Sequence, residues 1–437
     1  MRSSPDCPAL PLTRSCATWS WTVVAACVGL IACVTACEKD FRSCEAGLCP
    51  SGTSCNTATG LCEAPTGPRP DPVGLFGRIS LVQLSDGKLG VAGLAPAHQS
   101  LAFLSGQAAE WQTTFVAGPA AAAEAPSSGH VSAAVVGPDG VVHLAWARAT
   151  DASLWYASGG PSGWHTEAVA AATAGTVGDE VAVGLWQGRP VVAWRAGAAP
   201  WVRVARRQAD GNWAGENVPS PPPPVGDAPQ EAELGSSLTM AILPSGPALA
   251  YHDDTHGDLV LAVNAPQGWS VSRIAGSDPT TGADTGDVGR PVATAVGQQG
   301  GLAVAYLDRT RGQVWVARSS AGLLTHQVVA DGGFDDPSSG ARRVALLGTA
   351  LSVVVLPSDR VAVAMLDASR LRLRVAVEKV SGGFVLYDVP GTRPQLWPSL
   401  LVPTAGGLKL GYVELDAPRG PAASAVSVWS VPVGGTP

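Results

Sequence analysis

From Leu75 onward, short apolar runs alternate with polar or glycine-bearing turns at a spacing that fits β-strands rather than helices. One stretch carries the whole pattern. Residues 131–136 lead into the turn Gly137-Pro138-Asp139-Gly140, which is followed by an apolar strand over 141–146 and a polar loop over 147–152. A third strand is predicted over 153–157, and Gly163-Trp164 opens a fourth that runs to Val169. No helix is required anywhere in this body. The apolar run 344–356 is too short for a bilayer, which takes about 20 residues, and reads as paired buried strands.

The same unit returns. The ends of its second strands align at Gly93, Trp146, Trp194, Tyr251, Tyr306, Met365 and Tyr412, between 47 and 59 residues apart. Aromatic residues recur at the opening of the fourth strand (Trp111, Trp164, Trp213, Trp269 and Phe384), and the fifth unit breaks the series with Leu323 and Leu324. Four short strands per unit at this period predict an all-β, seven-bladed β-propeller over 75–437. A six-bladed ring is the alternative, if the first or last unit packs as a cap. Tandem sandwiches would not return an aromatic at matched positions. The last unit stops after its third strand, over 425–433, so a strand over 73–77 is expected to supply its fourth and close the ring. The strand register of the Trp and Tyr residues marks them as core before any role as a sugar platform.

These repeats resemble the sialidase-like propellers across residues 75–433, and the resemblance is one of architecture. Where that family carries its Asp box, S-x-D-x-G-x-T-W, this chain has reduced versions such as Ala209-Asp210-Gly211-Asn212-Trp213 and Ser162-Gly163-Trp164. The family's arginine triad, nucleophile pair and acid/base Asp have no assignable positions here. Its hydrolase activity is therefore not implied, and a glycan-active hydrolase or lyase stays as the alternative to a binding scaffold.

Ahead of the repeats lies a different kind of sequence. Arg2 and Arg14 precede an uncharged stretch, 15–36, whose apolar heart at 23–34 has the length and place of a secretory h-region. Val34-Thr35-Ala36-Cys37 resembles the lipobox of bacterial lipoproteins, in which the cysteine takes lipid and becomes the new N-terminus. Leu30-Ile31-Ala32-Cys33 fits the pattern as well. Lipidation at Cys37 leaves Cys44, Cys49, Cys55 and Cys62, an even set for an oxidising compartment, whereas Cys33 would leave an odd thiol. Residues 37–63 are too few for a hydrophobic core, so two disulfides among these four are expected, in any of three connectivities. The stub is similar to those that follow the anchor in lipoproteins of the myxobacterial type and to fragments of EGF-like modules. A Pro-rich linker, 64–74, joins it to the body. The organisation expected is a signal peptide over 1–36, a disulfide-stapled stub, a linker and a propeller, lipid-anchored in the cell envelope through its N-terminus.

Composition narrows the partners. Of 437 residues 46% are hydrophobic and 14% charged, which is a folding chain rather than a disordered one. The net charge of -7 and the scattered basic residues, almost all Arg, leave no footprint for nucleic acid and suit a GC-rich bacterial genome. An unidentified protein or carbohydrate is the partner that remains.

In a propeller the turns between second and third strands share one face with the blade-to-blade connections. That face is predicted to hold His252, Asp253, Asp254, His256 and Asp258, then Asp308, Arg309 and Arg311, then Asp367 and Arg370. The connections add Asp278, Asp284, Asp287, Asp331, Asp335 and Asp336. His252 to His256 has the residue types for zinc or manganese. Yet an acid recurs at Asp253, Asp308, Asp367 and Glu414, as a turn-capping residue would. Residues 278–287 lack the spacing of a calcium loop. No catalytic residue, metal or cofactor is assigned.

Overall fold

The computed structural model divides into two compact units, residues 1–71 and 72–437. The structure describes residues 54–56 and 61–63 of the first unit and residues 75–432 of the second, apart from short stretches between strands, the longest being 117–125. In the first unit Ser54–Asn56 pairs antiparallel with Leu61–Glu63, and the register sets Cys55 opposite Cys62. The expected lipidation site at Cys37 or Cys33, together with Cys44, Cys49 and the 64–74 linker, lies outside the described residues.

The second unit is a seven-bladed β-propeller. Its antiparallel sheets follow one another along the chain over 76–115, 126–170, 177–217, 234–275, 288–331, 347–388 and 395–431. Each of the first six has four layers of strand, blade 2 with its inner strand in two pieces, and the seventh has three strands. An extra hairpin, Gly333–Asp335 with Arg342–Val344, sits in the connection from blade 5 to blade 6. The inner strand of blade 7, Gln395–Leu401, packs on that of blade 1, Phe76–Gln83, where Leu81 N donates to Ser399 Oγ at 2.9 Å and closes the ring. Among the described residues no helix is long and apolar enough to cross a membrane.

Two strand expectations are corrected. Phe76 and Gly77 do not form an outer strand for blade 7; they begin the inner strand of blade 1, with Phe76 paired to Leu94. Leu75 explains the placement, because its fully buried side chain packs with Ile79 and Val413 between blades 7 and 1. The apolar run 344–356 is not a pair of strands within one sheet either. Val344 ends the extra hairpin, and Leu347–Val355 is the inner strand of blade 6.

Seven apolar clusters fill the seven blade interfaces. Alternation along each strand sends one set of side chains to the preceding blade and the other to the next, so both faces of every sheet are apolar. The second-strand residues point backward: Trp146 packs in the interface of blades 1 and 2, Trp194 in that of 2 and 3, and Tyr251 in that of 3 and 4. Tyr306, Met365 and Tyr412 continue the series. The fourth-strand aromatics lean the same way. Trp164 meets Phe103 edge-on at 5.3 Å, and Trp213 meets Tyr156 at 5.2 Å. The second-strand aromatics are core, where full burial of a large apolar side chain contributes about 1.5–3 kcal/mol, and the fourth-strand aromatics are half-buried against the same clusters.

Each inner strand shifts register near its start, as a bulge. In blades 5 and 6 the bulge turns on Gly289 and Gly348, with φ of 92° and 83°. A Cβ on Gly289 would lie 2.9 Å from Leu259 Cβ, and one on Gly348 would lie 2.6 Å from Val314 Cγ2, so backbone conformation and close packing both demand glycine.

Candidate functional site

On the face that carries the second-to-third-strand turns, blades 4, 5 and 6 share one frame, Asp-x-Ser/Thr: Asp253-Asp254-Thr255, Asp308-Arg309-Thr310 and Asp367-Ala368-Ser369. The Asp caps its own turn. Asp253 Oδ1 accepts from Thr255 N at 3.0 Å, Asp308 Oδ1 from Arg311 N at 2.8 Å, and Asp367 Oδ1 from Ser369 N at 3.1 Å. The Ser/Thr hydroxyl then accepts from the residue entering the inner strand: Glu233 N to Thr255 at 2.7 Å, Asp287 N to Thr310 at 2.8 Å, Leu346 N to Ser369 at 3.0 Å. The middle residue ties itself to that same entering residue through its amide, leaving its side chain to vary. Sequence reading found the recurring acid and missed the Ser/Thr two positions later, although the three-residue signal was present.

Those fixed acids are buried. Asp253 and Asp258 are closed off beneath the turn of blade 4, held by Arg273 from the fourth strand, and His256 Nδ1 lies 2.8 Å from Asp253 Oδ2. Ser277 Oγ donates to both oxygens of Asp258 at 2.7 and 2.9 Å. Burial pushes the Asp258 carboxyl above the ordinary range, against the pull of Ser277 and Arg273. Arg311 and Arg370 are exposed and reach back to Asp308 and Asp367 at 2.6 and 3.8 Å. Asp278, Asp284 and Asp331 cap loop amides, accepting from Thr281 N, Gly286 N and Gly333 N, each at 2.8 Å. Asp335 lies in the extra hairpin, and Asp336 lies outside the described residues.

The variable positions gather into a cluster across three blades. Asp254 Oδ1 accepts from Arg290 Nη1 at 2.9 Å, and its Oδ2 lies 3.4 Å from Arg195 Nη2 and hydrogen-bonds to Ser236 Oγ. Arg195 comes from the second strand of blade 3, Ser236 from the inner-strand bulge of blade 4 and Arg290 from that of blade 5. Arg309 Nη1 donates to Asp287 Oδ2 at 3.0 Å. Sequence reading placed Asp254, Asp287 and Arg309 on this face but not Ser236, which the bulge of blade 4 brings to Asp254, nor Arg195 and Arg290, which reach it from the neighbouring blades 3 and 5.

His252 lies under this cluster, almost fully buried. Its Nδ1 lies 2.8 Å from the Val288 carbonyl, an acceptor, so Nδ1 carries a hydrogen. That Nε2 faces Asp254 Oδ1 at 3.8 Å and Asp287 Oδ1 at 3.7 Å. Asp287 Oδ1 is itself buried and has no hydrogen-bond donor. Nε2 and the two carboxylates thus converge from blades 4 and 5. Among the described residues no group of His, Cys, Asp and Glu has the arrangement of a metal site.

No protein-family model and no curated protein matches the chain. Solved structures do. SapL1 lectin in complex with α-methyl fucoside is similar at a TM-score of 0.45 and 12% identity, over 73% of this chain and 97% of that one. The α-L-arabinofuranosidase Arb93A from Fusarium graminearum gives 0.43 and 12%, over 69% and 93%. A protein of unknown function from Dyadobacter fermentans gives 0.44 and 15%, over 83% and 100%.

Proposed function

We propose that the protein is an exported bacterial lipoprotein, anchored through Cys37, whose propeller binds a carbohydrate at the His252–Asp254–Asp287 cluster. The observation that carries the reading is the pairing of Asp254 with Arg290 and of Asp287 with Arg309, which sets carboxylates beside guanidiniums on one face. A ligand hydroxyl suits such pairs, because it donates to a carboxylate and accepts from a guanidinium with the same oxygen. Arg290 and Arg309 stand beside the two carboxylates, half-exposed, to serve the second half of that exchange. Neighbouring hydroxyls on a sugar ring repeat this donor-acceptor pattern.

A glycosidase reading needs an acid that keeps its proton near neutral pH within reach of substrate. The described carboxyl raised by burial is Asp258, and Arg273 and Ser277 seal it from solvent. We therefore take binding, rather than turnover, as the reading. Isothermal titration of the purified mature chain against a panel of methyl glycosides and oligosaccharides tests the proposal. Loss of one charge-assisted hydrogen bond in Asp287→Ala or Asp254→Ala is expected to weaken binding about tenfold or more. Unchanged affinity in both variants, or no binding by any sugar, would refute it.

A further inference from the structure

We infer that the cleft between blades 5 and 6 seats a short aliphatic substituent, acetyl or methyl, carried by the sugar that reaches Asp287; this rests on the carbohydrate reading above. The cleft has a volume of about 410 Å³ and opens on the same face. Its blade 5 wall is polar, formed by the Asp287–Arg309 ion pair and Thr310, while its blade 6 wall holds Leu346 and Leu347, with Leu307 also lining the space.

The contrast between the walls comes from the frame. At the middle position blades 4 and 5 carry Asp254 and Arg309, and blade 6 carries Ala368; at the entering position they carry Glu233 and Asp287, and blade 6 carries Leu346. Because the backbone bonds of the three frames match, blade 6 presents apolar side chains from the very positions where its neighbours present charge. Leu346 is 64% exposed, whereas the adjacent Leu347 is buried in the core. Core packing therefore does not account for Leu346. Leu371, in the turn of the same blade, is also exposed.

A space with an ion pair and a hydroxyl on one side and leucines on the other is complementary to a ligand of divided polarity. The volume lies within the range of small-molecule sites, roughly 300–1,000 Å³. An unsubstituted hexose would set hydroxyls against Leu346 and leave them without partners, whereas an acetyl or methyl group would remove apolar surface from water on both sides of the contact. Thr349, also lining the cleft, can bond to the carbonyl of an acetamido group.

The test uses the full mature chain and pairs of methyl glycosides that differ by the substituent: glucose against N-acetylglucosamine, and galactose against N-acetylgalactosamine. Burial of one methyl group is expected to favour an acetylated member by about fourfold or more. Leu346→Ser, at an exposed position, should abolish that preference, and Leu346→Met should retain it. Binding that depends on Asp287 but shows no preference, or a preference that survives Leu346→Ser, overturns this inference and leaves the carbohydrate reading standing. Failure of every sugar to bind overturns both.

Discussion

Arg273 Nη2 lies 2.8 Å from Asp253 Oδ2, joining the outer strand of blade 4 to the turn two strands inward. The same guanidinium holds Asp258 in an ion pair through Nε at 2.7 Å. Both carboxylates are fully buried, and the arginine nearly so. Removing the cation strands two acids. Arg273→Met is therefore expected to lower stability by about 3–5 kcal/mol, as losing one partner of a buried ion pair does. Urea unfolding of the variant against the wild type measures it, and a loss like that of an exposed arginine such as Arg290→Ala would contradict the buried-node account.

Asp308 and Asp367 cap turns and carry no ligand chemistry in this account. Asp308→Ala and Asp367→Ala should each cost about 1–2 kcal/mol, the consequence of leaving a turn amide without its acceptor. Sugar affinity should stay within about twofold of wild type, since the change lies well under 1.4 kcal/mol in binding. A variant that folds normally and loses binding tenfold would move its acid from the frame into the site.

Stability should begin to fall as the pH drops below the ordinary histidine value of 6.5. Burial depresses His143 first, with Arg207 adding to the effect and Asp139 opposing it, and burial depresses His326 as well. Unfolded chains take up protons at 6.5 that the folded ones refuse, so the stability contributed by the two neutral rings is complete above 6.5 and declines below it. Urea midpoints measured from about pH 7.5 to about pH 5.5 should show the decline, and His143→Gln with His326→Gln should flatten it. A double variant with the wild-type slope would assign the acid sensitivity to other groups.

At the other end of the chain, mass spectrometry of the membrane fraction should find a lipid-modified N-terminus at Cys37. A chain starting at Cys33 would move the anchor, and an intact Met1 would remove it. The hairpin register sets Cys55 opposite Cys62, so of the three connectivities Cys55–Cys62 with Cys44–Cys49 is the one expected in a peptide map of the unreduced protein. Reduction should leave the main unfolding transition nearly unmoved, because the four cysteines precede the propeller.

Blade number, strand order within a blade and the core role of the recurring aromatics were legible in the chain itself, because each depends on local alternation and on a period near fifty residues. Trp146, Tyr251 and Met365 occupy matched buried places for that reason. Ring closure was legible only in part. Whether Phe76 pairs inward with Leu94 or outward beside blade 7 depends on where Leu75 is buried, and that follows from the meeting of two ends of the chain more than three hundred residues apart. The cluster is decided at the same level. Arg195, Asp254 and Arg290 are spread over three repeats with no shared motif, and they meet because neighbouring blades bring the end of one second strand beside the bulge of the next inner strand. Repetition reveals what the blades have in common, whereas a site built from the positions that differ comes together only when the blades are packed side by side.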